Sequence, residues 1–315
     1  MDVFFSKNPI NQAAGNQIKA SNLMEKHNQE LSVNWLIVAL ICFVFSGCDS
    51  PQPKPNVPTA QHIKNRIKVR ESKQQPALTP NTFPGNSRRA LERWFEKTKK
   101  RKKNETYGEL LSRIASTQLH KPYLDAPQTA VKEVLTIPLE TFQCVSLVEA
   151  SLALANCTWQ KATTPRCFAH EVQQSRYRDG EIDGYASRLH YFFDWLSNNA
   201  DRGRLKALTQ SLGGQPFHRK NREPLFSIMT DKPGRYPALL EPTVFAHIQS
   251  IEEALNTQTI HLLRGHQIAE VSKQLQNGDI IAVVTTKNGL LISHTGFVMR
   301  TGDGIVRFLH ASSFH

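Results

Sequence analysis

Hydrophobic positions follow helical spacing through the middle of this chain and strand spacing at its end. Ala90, Leu91, Trp94 and Phe95 recur about one helical turn apart, as do Leu110, Leu111, Ile114, Ala115 and Leu119. Pro122 ends the second of these helices. Thr141 to Ala155 is apolar almost throughout and predicts a third helix, with Thr141 as its cap. Residues 185–200 predict another, with Leu189, Phe192, Phe193 and Leu196 on its inner side, and residues 244–255 a further one. From Gly278 the period shortens. Ile280 to Thr285, Leu290 to Met299 and Ile305 to Ala311 predict three strands, broken at Lys287-Asn288-Gly289 and at Thr301-Gly302-Asp303-Gly304. The second break is a hairpin signal. Helices first and an antiparallel sheet afterwards predict an α+β domain.

The start of the chain follows neither rhythm. Residues 35–45 are an uncharged apolar run of 11, short for a bilayer span of about 20 residues. The run matches the apolar core of an export signal. Ser46-Gly47-Cys48 follows directly and resembles the lipobox of bacterial lipoproteins, in which Cys48 would be lipidated and become the mature N-terminus. Residues 1–48 are therefore read as a signal segment, and the protein as exported, periplasmic and lipid-anchored to a bacterial membrane. Asp49 resembles an inner-membrane retention signal. An uncleaved anchor, another kind of signal, and a buried core helix are the other readings of the apolar run. Residues 49–87 hold seven of the 17 prolines and few large apolar side chains, so they read as a flexible linker. Residues 88–315 are the folded domain.

Charge changes this picture only locally. The net charge is +12, yet residues 54–103 alone hold 15 Lys or Arg against 3 Asp or Glu. The rest of the chain balances to zero. Basicity is thus confined to one segment, interleaved with proline and without a nucleic-acid-binding motif, which argues against nucleic acid as a partner. The run Lys99 to Lys103 suits anionic lipid, an anionic wall polymer, or simply a solvated helix end.

Cysteine carries the candidate chemistry. Cys42 and Cys48 fall in the signal segment. Cys157 and Cys167 sit ten apart across a Thr-Thr-Pro turn and suit a loop-closing disulfide. Cys144 is left at a predicted helix start, where backbone N–H groups and the helix dipole favour a thiolate and could hold an oxyanion. A small buried core residue is the alternative. A thiolate nucleophile needs a base and a group to orient it. On the middle strand Leu290, Ile292, His294, Gly296 and Val298 share one face by alternation; on the last, Val306, Phe308 and His310 do. Pairing of these strands would bring His294 and His310 together, facing the helix of Cys144. A zinc site from Cys144, His294 and His310 lacks tight ligand spacing, so no metal or cofactor is expected.

These blocks carry a resemblance. Phe142 to Glu149, Tyr177-Arg178-Asp179-Gly180, Tyr185 to Tyr191, Gly278-Asp279-Ile280-Ile281, Ser293 to Phe297 and Leu309 to Ser313 occur in this order over roughly residues 105–315. The pattern resembles the papain-like cell-wall hydrolases of the NlpC type, and within them the N-acetylmuramoyl-L-alanine amidase-like branch. The resemblance implies a papain-like domain, with a nucleophile helix packed on a small antiparallel sheet and a helical insertion at about residues 170–265. It implies a hydrolase of peptidoglycan or muropeptides, cutting the muramic acid–L-alanine amide or a stem-peptide bond. Cys144 would be the nucleophile, His294 the base and His310 its orienting partner. Tyr123, Tyr185, Ser187 and Arg188 would line the substrate cleft, Arg188 as a carboxylate clamp. Two departures weigh against activity. Gln143 stands where the family usually has Asp, and the chain stops at His315, soon after the last block. They favour a rival reading, a catalytically inactive wall-binding lipoprotein with a degenerate papain-like domain.

Overall fold

The computed structural model describes residues 77–124, 132–217 and 223–313, with the backbone of two strands at 18–22 and 40–44. In chain order the regular elements are β1 Ile18–Asn22, β2 Leu40–Val44, α1 Ser87–Thr98, α2 Tyr107–Ser116, α3 Cys144–Trp159, α4 Pro165–Arg176 and α5 Phe192–Asp201. They continue with β3 Lys206–Ala207, β4 Gln215–Phe217, α6 Ile228–Asp231, α7 Pro242–Asn256, β5 Ile260–Leu262, α8 Ile268–Val271, β6 Ile280–Val284, β7 Ile292–Arg300 and β8 Val306–Ala311. The main sheet has the order β1-β8-β7-β6-β2-β3, and β4 pairs with β5 in a second, two-stranded sheet. All strand pairings are antiparallel. The class is α+β.

Helix α3 is the axis of the fold. Leu147 to Thr158 are buried all round it, which a helix tolerates only when wrapped by others. It packs against α2, α4, β7 and β8. Its C-terminal turn is tied to α4 by a disulfide between Cys157 and Cys167, with an S–S distance of 2.01 Å. Helix α4 starts at Thr164, whose hydroxyl accepts the Cys167 N–H, with Pro165 in the first turn.

Several sequence expectations shift. Packed structure begins before residue 88: Thr82 and Phe83 are buried, and Ile137 N–H donates to the Thr82 carbonyl at 2.8 Å. The end of the proline-rich segment is therefore part of the core edge. The helix expected over 185–200 is broken. Residues 185–187 form a 3-10 turn, and helix begins only at Phe192. Between them Arg188 bridges antiparallel to Tyr177, and Leu189 N–H donates to the Arg176 carbonyl at 3.0 Å, which holds that backbone extended. The region 170–265 mixes helices with the β4–β5 pair rather than being helical throughout. In the segment read as a signal, β1 runs beside β8 and β2 beside β6. Cys48 and residues 49–76 lie outside the described residues. No described helix is long and apolar enough to cross a membrane.

Candidate active site

Cys144 is the first residue of α3. The expected cap at Thr141 is corrected: Gln143 occupies that place, and its N–H donates to Ser146 Oγ at 2.9 Å. Ser146 Oγ donates in turn to the Gln143 carbonyl at 3.1 Å. A side chain inside the first turn thus satisfies the cap backbone, and the cap lies two residues later than read. No acidic residue lies in that turn, so its N–H groups and dipole bear on Cys144 without an opposing charge there. Cys144 is half-buried and remains a thiol.

His294 on β7 and His310 on β8 meet: Nε2 of His294 lies 2.7 Å from Nδ1 of His310. Phe308 stacks on His310 at 4.7 Å between ring centres and meets His294 edge-on at 5.9 Å. Gly296 makes this approach possible. A Cβ there would lie 2.4 Å from the Leu309 carbonyl oxygen and 2.9 Å from His310 Cβ. Burial pushes His294 down to about 4, so the ring is neutral at neutral pH.

The row of residues expected on one face of β7 is not continuous. A register shift at Val283/Val284 pairs Val284 with Ile292 but Val283 with His294. Ile292 consequently joins the large core. Val298 and Val306, on the face of the two histidines, join Ile281, Leu263, Val271 and Leu275 in a smaller cluster. Phe297, Leu309 and Ala311 alternate with them and belong to the core shared with α3. The imidazoles therefore do not face the body of α3.

The remaining candidates divide. Tyr123 is half-buried and bridges in parallel to Phe142, two residues before Cys144. Tyr185 is buried against His190, 4.3 Å between ring centres, and burial pushes its phenol up to about 12. The Ser187 hydroxyl accepts from Asp183 N–H at 3.0 Å and donates to the Gly184 carbonyl at 2.7 Å, so it is used inside its own turn. Arg188 is about a third exposed, and its Nη1 lies 3.5 Å from Glu133 Oε1. Tyr177 Oη donates to the same oxygen at 2.6 Å. His190 donates from Nε2 to the Tyr185 carbonyl at 2.9 Å, and burial with the nearby Arg188 charge pushes it down to about 3.

Beneath these residues lies a pair that sequence reasoning missed. Arg176 Nε donates to Glu149 Oε2 at 2.9 Å, and Nη1 to the Thr136 carbonyl at 2.7 Å, both side chains being buried. It joins the second turn of α3 to the last turn of α4. The only sequence signal was one charge, Glu149, inside an otherwise apolar helical stretch. Among the described residues no group of three or more His, Cys, Asp or Glu could hold a metal ion.

Comparison with known proteins agrees with this architecture. No curated relative matches. A structure of an N-acetylmuramoyl-L-alanine amidase from Bacteroides uniformis is 31% identical, with a TM-score of 0.59, over 66% of this chain and 86% of that one. A second structure, from Bacteroides fragilis and carrying the provisional name of xylanase, is 33% identical, with a TM-score of 0.55, over 61% of this chain and 83% of that one. A family model described as AmiA-like, N-acetylmuramoyl-L-alanine amidase-like, matches residues 113–315. The chain belongs to the N-acetylmuramoyl-L-alanine amidase-like family.

Proposed function

We propose that the chain is a cysteine amidase of peptidoglycan, in a papain-like domain of the NlpC type, cutting the muramic acid–L-alanine amide or an amide within the stem peptide. One observation carries the reading. A cysteine begins the helix that packs on the two strands bearing the hydrogen-bonded pair His294 and His310. Two ring nitrogens 2.7 Å apart need one proton between them. With that proton on Nε2 of His294, its Nδ1 is left as an acceptor for the thiol proton. Sγ of Cys144 attacks the amide carbonyl as His294 takes that proton. The first-turn N–H groups of α3 receive the developing oxyanion. His294 then hands the proton to the leaving amine, the C–N bond breaks, and a thioester remains. Water, deprotonated by His294, releases the acid and restores the thiol. His310 holds the base in its tautomer and orientation. Tyr123 lines the approach to the thiol, and Arg188 offers its outer N–H groups to a substrate carboxylate.

A glycosidase, as the Bacteroides fragilis name would suggest, needs two carboxylates flanking the bond. A thiol and two imidazoles do not supply them.

Residues 1–48 serve, on this proposal, as an export leader ending in a lipidated Cys48, which places the protein in the periplasm on a membrane anchor. Cleavage there removes β1 and β2 from the mature chain, and intact-mass analysis of the native protein reads that directly.

Mass spectrometry of a muropeptide digest tests the chemistry. Wild type should release amine and acid products whose masses name the bond. Cys144→Ala should lose at least roughly 10³-fold in turnover with unchanged circular dichroism. Comparable turnover by the two proteins would remove Cys144 from the mechanism.

A further inference from the structure

The two histidines share their face of the sheet with an aromatic ring to which the mechanism gives no part. Phe308 is half-buried and packs on the small cluster of Val298 and Val306, outside the large core. The register of β7 on β8 pairs Val298 with Phe308 and Phe297 with Leu309, which brings Gly296 alongside His310. A Cβ on Gly296 would lie 2.9 Å from Cε2 of Phe308, as near as it would come to Cβ of His310. The Phe308 ring therefore fills the seat that a side chain at 296 would take.

From that seat it meets both imidazoles. It lies nearly parallel to His310, with ring centres 4.7 Å apart and planes at 13°. It stands nearly perpendicular to His294, at 5.9 Å and 77°. The two imidazoles are themselves crossed at 88°. Nothing in a histidine side chain fixes this arrangement, because the torsion that turns the ring is broad. Rotation of His310 about that torsion would drive its edge into the face of Phe308. Such a rotation would also carry Nδ1 away from Nε2 of His294 and break the 2.7 Å bond. Phe308 contributes cover as well as direction. The neighbouring strands present Val283 from β6, and Phe308 and His310 from β8, to His294; of these only His310 titrates.

We propose that Phe308 is a positioning residue of the reaction: its flat face holds the plane of His310, and through His310 the tautomer and direction of His294. The proposal rests on the amidase reading and deepens it, adding a third ring to the pair that serves the thiol. Shape and desolvation are the whole of its part, and it touches neither substrate nor the proton in transfer.

Three substitutions separate direction from cover. Phe308→Ala should lower kcat on muropeptides on the order of a hundredfold and leave KM within about twofold. In the same protein, NMR titration of the His294 ring should move from about 4 up toward 6.5, since water reaches the ring. Phe308→Leu keeps apolar cover without a flat face. Its His294 should still titrate low, while kcat falls on the order of tenfold. Phe308→Tyr restores the flat face and should recover most of both losses. An alanine protein with wild-type kcat, or with an unshifted His294 titration, overturns the proposal. So does a leucine protein as active as the tyrosine one, and that comparison decides the case if the alanine protein does not fold. Absence of hydrolysis by wild type would sink the amidase reading, and the NMR titration would still judge the hold of Phe308 on His294.

Discussion

His294 shows how little a single residue needs in order to change its chemistry. Burial alone lowers its affinity for a proton, and the ring nitrogen of His310 fixes where the remaining proton sits. If His294 is the base, the acid limb of kcat/KM should fall near pH 4 rather than near 6.5, because activity is lost only when the buried ring protonates. A pH–rate profile from pH 3.5 to 8 checks this, and a limb near 6.5 would assign the base elsewhere. At this scale the sequence was informative where residue type and spacing carried the signal. Cys144 stood out at a helix start, and the two histidines each followed a strand alternation. The buried charges were not legible. Glu149 meets Arg176 across 27 residues, and Glu133 meets Tyr177 across 44 and Arg188 across 55. Only the folded chain brings such partners together. The local bonds of Ser187 were not legible either: a hydroxyl beside an arginine suggests a binding site, and in the fold it bonds two backbone groups of its own turn.

Among the elements, helices with a one-sided apolar stripe were readable, as α1, α2 and α7 show. So were β6 and β8, which lie within a residue of their expected bounds. Failures came where a tertiary bond overrode local spacing. The 185–200 stretch has helical periodicity, but pairing of Arg188 and Leu189 with the end of α4 straightens its first part. The β7 face was misassigned because a bulge shifts the alternation by one, and no residue type marks it. The disulfide acts at this scale too, fastening α4 to the last turn of α3. The Cys157→Ser, Cys167→Ser double variant should lose about 2–3 kcal/mol of stability, the value for a loop of about ten residues. Denaturant unfolding with and without reductant measures it. An unchanged midpoint would mean that the two helices hold together by packing alone.

The whole molecule should be acid-sensitive, and the sign follows from the buried histidines. His190 and His294 have folded values of about 3 and about 4, below the ordinary 6.5. Their contribution is fully present above pH 6.5. It is lost as the pH falls from there through the folded values, since the unfolded chain takes up protons first. Glu171, held low by Arg204 despite its burial, adds to the loss at the acid end. Asp279 runs the other way: burial pushes it up to about 6, so it stabilises the fold as pH falls through that value. His170 is lowered by burial as well, and Asp194 is raised by burial like Asp279; three depressed histidines outweigh two raised aspartates, and the melting temperature should drop between pH 7 and pH 4. His190→Gln, which keeps a donor for the Tyr185 carbonyl, should flatten that slope. A melting temperature independent of pH over this range would show that the two rings exchange protons as freely as in water.

Helix α3 carries sulfur at both ends, a thiol at its first residue and half of a disulfide thirteen residues on. At 1.5 Å per residue this spacing is about 20 Å, far beyond the reach of thiol–disulfide exchange. The same rod that presents Cys144 therefore also keeps it from attacking its own crosslink. Insulation of this kind lasts only while the rod is intact. In the unfolded chain Cys144, Cys157 and Cys167 can pair among themselves in three ways, two of which consume the Cys144 thiol, so each excursion through the unfolded state in an alkaline, oxidant-poor solution risks trading Cys144 for Cys157 or Cys167. Loss of the thiol would then track global unfolding rather than exposure of the cleft.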